Sequence, residues 1–156
     1  MTLRYDNDTG ECDEVSFDVI GIPAPKGSKK GFVIKGRAVL VEQSDKAKPW
    51  EQAVHWTARE AMKDVLPFLG PVQISLSLIM PRPKYLKKMI YVLHDKKPDL
   101  DKLTRCILDG LTGVVYVDDG QVCAIQVQKR YANPDEATGA YMKIRKVKDI
   151  HDQCDW

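Results

Sequence analysis

The run KPDLDKLTRCILDGLTGVVYVDDGQV, Lys97 to Val122, places five aspartates in a segment otherwise patterned as a buried helix and its return. Leu100, Leu103, Ile107, Leu108 and Leu111 recur at helical spacing, which predicts a helix from Leu100 to Leu111 that stops near Gly110 to Gly113. Asp99 falls at its N-cap, where a carboxylate can accept bonds from exposed backbone N–H groups, and Asp101 in the first turn complements the helix dipole. Such a helix travels roughly 18 Å at about 1.5 Å per residue. An extended return over Val114 to Asp119 covers about 20 Å at roughly 3.3 Å per residue. A reversal at Gly113 is therefore expected to bring Asp118 and Asp119 level with Asp99 and Asp101. Carboxylates gathered in this way raise one another's pKa unless a cation is present, and Mg²⁺, with its preference for oxygen ligands and retained waters, suits them. A plain hairpin turn at Asp118-Asp119-Gly120 is an equally open reading, because a turn can carry ligands at its tip. EF-hand spacing is excluded: the fifth position from Asp99 is Leu103, with no glycine at six and no glutamate at twelve.

Around this run the chain reads as one domain. Its 156 residues, 44% of them hydrophobic, suffice for a single sizeable core. The expected division is an acidic flexible leader over 1–14, one domain over 15–148, and a polar tail over 149–156 in which His151 and Cys154 carry no metal pattern. Val15, Phe17 and Val19 alternate as a strand, and the pattern around FVIKGRAVL predicts a β-hairpin. Trp50, Ala53, Val54, Thr57, Ala58, Ala61, Met62 and Val65 form a helix stripe over about 49–65, with Pro49 in its first turn and Trp50 on the core side. Val72, Ile74, Leu76, Leu78 and Met80 alternate with polar residues as a half-buried strand, and two more strands follow around Ile125 to Tyr131 and Met142 to Ile144. The fold class expected is α+β, a mixed sheet with two helices on one face.

The charge is uneven along the chain. Residues 1–21 hold one base against six acids, residues 22–97 fifteen against six, and residues 98–156 eight against ten, so the middle is basic by nine charges. A basic block suits a polyanion, because clustered lysines release counterions from phosphates; a solvated surface accounts for the count equally well. The candidates for phosphate contact are Lys26, Lys29 and Lys30 in a Pro/Gly-rich loop, Lys84, Lys87 and Lys88 in a second basic stretch, and Lys102. In the second stretch lysines surround Tyr85, Tyr91 and His94, as in flexible arms that stack rings on unpaired bases. No apolar run approaches the roughly 20 residues of a membrane span, and the acidic N-terminus lacks secretory character, so a cytoplasmic setting and no membrane partner are expected. The four cysteines include no CxxC pair and show no zinc spacing.

Asp99-x-Asp101, Arg105, Asp109 and the downstream Asp118-Asp119-x-Gln121-Val122 together resemble the signature of the RusA family of Holliday-junction resolvases. That signature, from bacterial and phage endodeoxyribonucleases, is a D-x-D-N-L-x-K-x-x-x-D-x-L segment followed by D-D-x-Q-[IV]. The resemblance implies a RusA-like fold and paired phosphodiester cleavage of four-way DNA by a homodimer with Mg²⁺, Mn²⁺ being a possible substitute. It implies Asp99, Asp101 and Asp119 as metal-binding catalytic carboxylates. Arg105 falls at the family's catalytic lysine, as a charge beside the scissile phosphate, and Lys102 at its usual asparagine. It sets the protein in a bacterial or phage-infected cell. A junction-binding protein with weak or no cleavage, and a broader flap or fork nuclease, are the alternatives.

Overall fold

The computed structural model describes residues 1–27, 29–34, 37–42 and 45–147, the two middle ranges by backbone alone. Seven strands and two helices follow in the order β1 (Thr2–Tyr5), β2 (Cys12–Ile20), β3 (Lys29–Ile34), β4 (Arg37–Glu42), α1 (Ala47–Ala61), β5 (Val72–Met80), α2 (Leu100–Leu111), β6 (Val122–Tyr131) and β7 (Gly139–Lys146). Five strands form one sheet in the order β1-β2-β7-β5-β6, while β3 and β4 pair separately as the expected hairpin. β5 and β6 are parallel and the other pairings antiparallel, so the sheet is mixed and the fold α+β. Among the described residues no helix is long and apolar enough to cross a membrane.

The acidic leader contributes a strand to the sheet. Thr2–Tyr5 pairs antiparallel with β2 and widens the sheet by one strand, and β2 begins at Cys12, three residues before the first apolar alternation. The backbone of a short polar edge strand is satisfied by pairing, whatever its side chains. The tail's His151 and Cys154 lie outside the described residues.

The apolar stripes read from the sequence become the core. Val15, Phe17 and Val19 of β2, Ile74, Leu76 and Leu78 of β5, and Met142 and Ile144 of β7 are buried. Against them lie Trp50, Val54 and Ala58 of α1 and Leu103, Ile107 and Leu111 of α2. Each such large aliphatic side chain contributes about 1.5–3 kcal/mol on burial. α1 stops at Ala61, earlier than its stripe, and Met62 is buried from the turn beyond it. The helices approach closely at Gly110: a Cβ there would stand 3.0 Å from the Glu51 carbonyl oxygen and from Val54 side-chain atoms. A bare α-carbon thus fixes where α2 sits, and with it both acidic groups of the motif.

β5 and α2 set the direction of the site. Residue 72 pairs with 122 and residue 80 with 131, so β6 runs alongside β5 in the same sense. The chain leaves β5 at Met80, returns along α2, and runs out again along β6.

Candidate active site

At the N-terminal end of α2, Asp99 occupies the N-cap position with extended backbone, yet its side chain makes no capping hydrogen bond. Its carboxylate instead stands 3.4 Å from the Lys102 ammonium, both side chains about half exposed. Asp101, in the first turn, is exposed and makes no hydrogen bond or ion pair with a described residue. Arg105, one turn further along the same face, is exposed and likewise unpaired; the ladder to Asp101 and Asp109 that its spacing permits is not formed among the described residues.

The loop before Asp99 is fastened from below. His94 N donates to the Lys129 carbonyl and Tyr131 N to the Val92 carbonyl, so residues 92–94 run beside the end of β6. The Lys129 ammonium then donates to the carbonyl oxygens of Lys96 (2.6 Å) and Pro98 (2.7 Å). Burial, and secondarily the charge of Lys129, lower the His94 pKa, which keeps that ring neutral around neutral pH. Lys129 was not a candidate from the sequence; only the register of β6 against the 92–98 loop reveals it.

The other acidic group lies at the opposite end of the helix. Beyond Leu111 the chain does not extend back; it turns at Gly113, whose φ is +77°, and buries Val115 and Tyr116 completely beneath the helix end. Gly113 N donates to the Tyr116 carbonyl, Phe68 N to the Val115 carbonyl, and the Tyr116 hydroxyl to the Leu108 carbonyl. Burial drives the Tyr116 pKa upward, and the charges of nearby Asp119 and Asp109 add to the shift. Asp118 and Asp119 therefore sit beside the second half of α2. The expected convergence of Asp119 with Asp99 and Asp101 does not occur within one chain. Among the described residues no three His, Cys, Asp or Glu side chains gather as a metal site. The physical reason is burial: an extended Val114–Asp119 would leave Val115 and Tyr116 in water. The return stroke comes one element later, along β6, and it brings the Lys129 ammonium to the carbonyl oxygens of Lys96 and Pro98, just before Asp99.

Around Asp119 the turn is tightly specified. Gln121 Oε1 accepts from Val117 N and Asp118 N, while its Nε2 donates to the carbonyls of Phe68 (3.0 Å) and Gly70 (2.7 Å). The Asp118 carboxylate caps the short turn at Asp119–Gln121 by accepting from Gly120 N. The glutamine of the D-D-x-Q motif is thus an anchor and its first aspartate a cap. Within this turn Asp119 keeps an exposed carboxylate with no hydrogen bond or ion pair to a described residue.

The basic candidates divide. Lys26 lies 2.9 Å from Glu51 and 2.5 Å from Asp109, bridging α1 and α2. Burial opposes its charge, but the hydrogen bonds to Asp109 and Glu51 outweigh it and hold the ammonium above the ordinary lysine range. It is spent on structure, as is Asp109. The side chains of Lys29 and Lys30 lie outside the described residues. Lys84, Lys87 and Lys88 are exposed, whereas Arg82 turns inward to the carbonyls of Ala132, Leu86, Lys87 and Met89. An open cleft of about 860 Å³, lined by Ile20, Pro23, Trp50, Met80, His94 and Pro98 among others, adjoins the 97–98 loop. Its walls are mainly apolar and offer neither paired carboxylates nor a phosphate cradle.

A protein from Bacillus subtilis (strain 168) described as "Uncharacterized protein YqaN" is 26% identical to this chain over 144 residues, covering 86% of this chain and 98% of that one. The family model described as "Endodeoxyribonuclease RusA" matches residues 22–145, which take in every side chain of the two acidic groups, Arg105 and Lys129. The chain, with its D-x-D helix start and glutamine-anchored D-D turn, belongs to the RusA endodeoxyribonuclease family.

Proposed function

We propose that this family member is an Mg²⁺-dependent endonuclease that resolves four-way junctions and related branched DNA as a homodimer. The observation that carries the reading is the unspent pair Asp99 and Asp101. A side-chain N-cap typically adds about 0.5–2 kcal/mol, yet Asp99 forgoes it, keeping only a half-exposed 3.4 Å pair with Lys102, and Asp101 has no hydrogen bond or ion pair among the described residues. Two exposed carboxylates fit Mg²⁺, which is commonly held by one or two carboxylates together with waters and substrate phosphate oxygens. When bound, such an ion supplies Lewis-acid polarisation and a water of lowered pKa.

This chain's own residues do the rest. Asp99 and Asp101 hold the ion, Lys102 limits the repulsion between Asp99 and an incoming phosphate, and Arg105 lies one turn away to offset charge that develops on the phosphate oxygens. Mn²⁺ accepts the same oxygen donors. Asp119 completes the set in the homodimer: a second copy's Asp119 meets the Asp99–Asp101 pair of the first. The separation of the two groups along one helix supports this sharing, since neither chain gathers the three alone.

The same separation favours a second reading, in which the chain binds junctions without cutting them. Incubation with labelled four-way, three-way and linear DNA in Mg²⁺ and in EDTA tests both. Metal-dependent, paired nicks in the four-way substrate are expected. Tight binding with no metal-dependent product would overturn the nuclease reading.

A further inference from the structure

The segment between β5 and α2 carries an apolar projection that catalysis leaves unused. Met89 and Ile90 are 58% and 72% exposed. They stand in a stretch, residues 82–94, that holds Arg82, Lys84, Lys87 and Lys88 and no acidic residue. The segment was expected to be a flexible arm, but it is pinned. The Arg82 guanidinium donates to four carbonyls, three of them within the loop at Leu86, Lys87 and Met89, the last two at 2.6 Å. Lys87 and Tyr91 on either side adopt positive φ of 44° and 51°, a conformation uncommon for residues with a Cβ.

The aromatic rings that suggested base stacking are engaged elsewhere. Tyr91 donates its hydroxyl to Gln128 Oε1 and lies under the Arg130 guanidinium, while its N–H donates to Asn133 Oδ1. The Tyr85 ring lies beneath the Lys96 ammonium, three residues before Asp99, and His94 packs on Tyr131. The loop presents Met89, Ile90 and Leu93 to solvent, with the partly engaged Tyr85 and Tyr91 and the lysines beside them, in the segment that leads to Asp99; Met89 and Ile90 are adjacent and stand next to Lys87 and Lys88.

We propose that Met89 and Ile90 form a wedge that enters an unstacked base step at the branch point of DNA, while Lys84, Lys87 and Lys88 hold the adjoining phosphates. The proposal rests on the DNA-cutting reading above and adds to it the source of selectivity for branched substrate. Apolar wedges of this kind part base steps in duplex DNA at an unstacking cost, and at a branch point much of that cost is already met. The lysines decide between occupants: a twofold-related copy would bring this acid-free cluster against itself, whereas phosphates complement it.

The test uses four-way junctions and matched linear duplexes with 2-aminopurine at the bases flanking the crossover, titrated in EDTA with wild type and with the double variant Met89→Ser/Ile90→Ser. Wild type should raise the fluorescence of at least one crossover base severalfold. The double variant should abolish that rise and weaken junction binding about tenfold, while linear-duplex affinity stays within about twofold. Circular dichroism and gel filtration establish that the variant keeps its fold and assembly. An undiminished fluorescence rise in the variant, an equal loss on both substrates, or a changed oligomeric state would each overturn the wedge. Wild type that unstacks no base in EDTA yet cuts the same junctions when Mg²⁺ is supplied overturns the wedge alone; wild type that neither binds in EDTA nor cuts in Mg²⁺ overturns the nuclease reading with it.

Discussion

The separation of Asp119 from Asp99 and Asp101 yields a sharp experiment. α2 spans twelve residues, so its ends lie about 18 Å apart at 1.5 Å per residue. Mg²⁺ reaches its ligands at about 2.1 Å, and among the described residues no three carboxylates gather closely enough to share one ion. Consider Asp101→Asn and Asp119→Asn as separate chains. Each homodimer has a damaged ligand in both sites and should lose about 100-fold or more in nicking, the order expected when about 2.7 kcal/mol of transition-state stabilisation disappears. In a heterodimer of the two, one site collects both substitutions and the other collects none. With differently tagged chains, the purified heterodimer should regain about half of the wild-type nicking, confined to one strand of the pair. The assay is single-turnover cleavage of a four-way junction labelled on opposed strands. A heterodimer as inactive as its parents would refute shared sites and return all three carboxylates to one chain.

Further outcomes follow from the same geometry. Arg105→Ala should lower single-turnover cleavage about 100-fold with junction affinity little changed, and Arg105→Lys should recover much of it; a purely structural role would leave turnover intact. Neutralising Lys84, Lys87 and Lys88 together should flatten the slope of log affinity against log salt by about 0.9 per lost duplex contact, whereas Lys26→Met should leave that slope unchanged and destabilise by about 1–2 kcal/mol in urea melts, through unpaired Asp109 and Glu51. Gly110→Ala should destabilise by up to about 2 kcal/mol, because overpacking against Val54 outweighs the roughly 1 kcal/mol of helix propensity gained; an unchanged or raised melting temperature would show that the helices can part freely. The hydrogen bond from Arg130, against the opposing effect of burial and with help from Asn133 N, holds the Glu136 pKa at about 2, below its ordinary 4.5. A depressed carboxylate stabilises fully above its unfolded pKa and loses that contribution as pH falls toward the folded value, so the stability gap between wild type and Glu136→Gln should narrow by about 1 kcal/mol on going from about pH 6 to about pH 3, the figure being discounted for the pair's partial exposure.

The elements were legible where one periodicity governed them. α2 falls on Leu100–Leu111 as its stripe predicts, and β5 on the alternation from Val72 to Met80. The N-terminal strand was not, because Thr2–Tyr5 has no apolar face and exists through pairing with β2. Each acidic group could be read as a local unit, but their relation could not. Spacing gives the distance a chain can travel, while the path is set by what must be buried, here Val115 and Tyr116. The same limit hid Lys129 and the anchoring role of Gln121, which the sequence showed only as a motif position: each acts through carbonyls more than 30 residues away in sequence.

The split arrangement has an electrostatic logic that a gathered one lacks. Three carboxylates within reach of one ion repel strongly before the ion arrives, and a chain that held them so would depend on protonation or on metal for stability. Here Asp99 has Lys102 beside it, and Lys129 lies under the loop that leads into it. Asp119 is kept at the far end of a rigid helix by the glutamine anchor. Each chain can therefore fold without gathering the three carboxylates at one point. In a homodimer that shares its sites, the repulsion arises only on assembly, where a metal ion and a DNA phosphate can be bound together with it. Cleavage competence then depends on the pair of chains rather than on either one, which suits a reaction that must cut two strands of a junction in concert. That dependence is what the heterodimer measures.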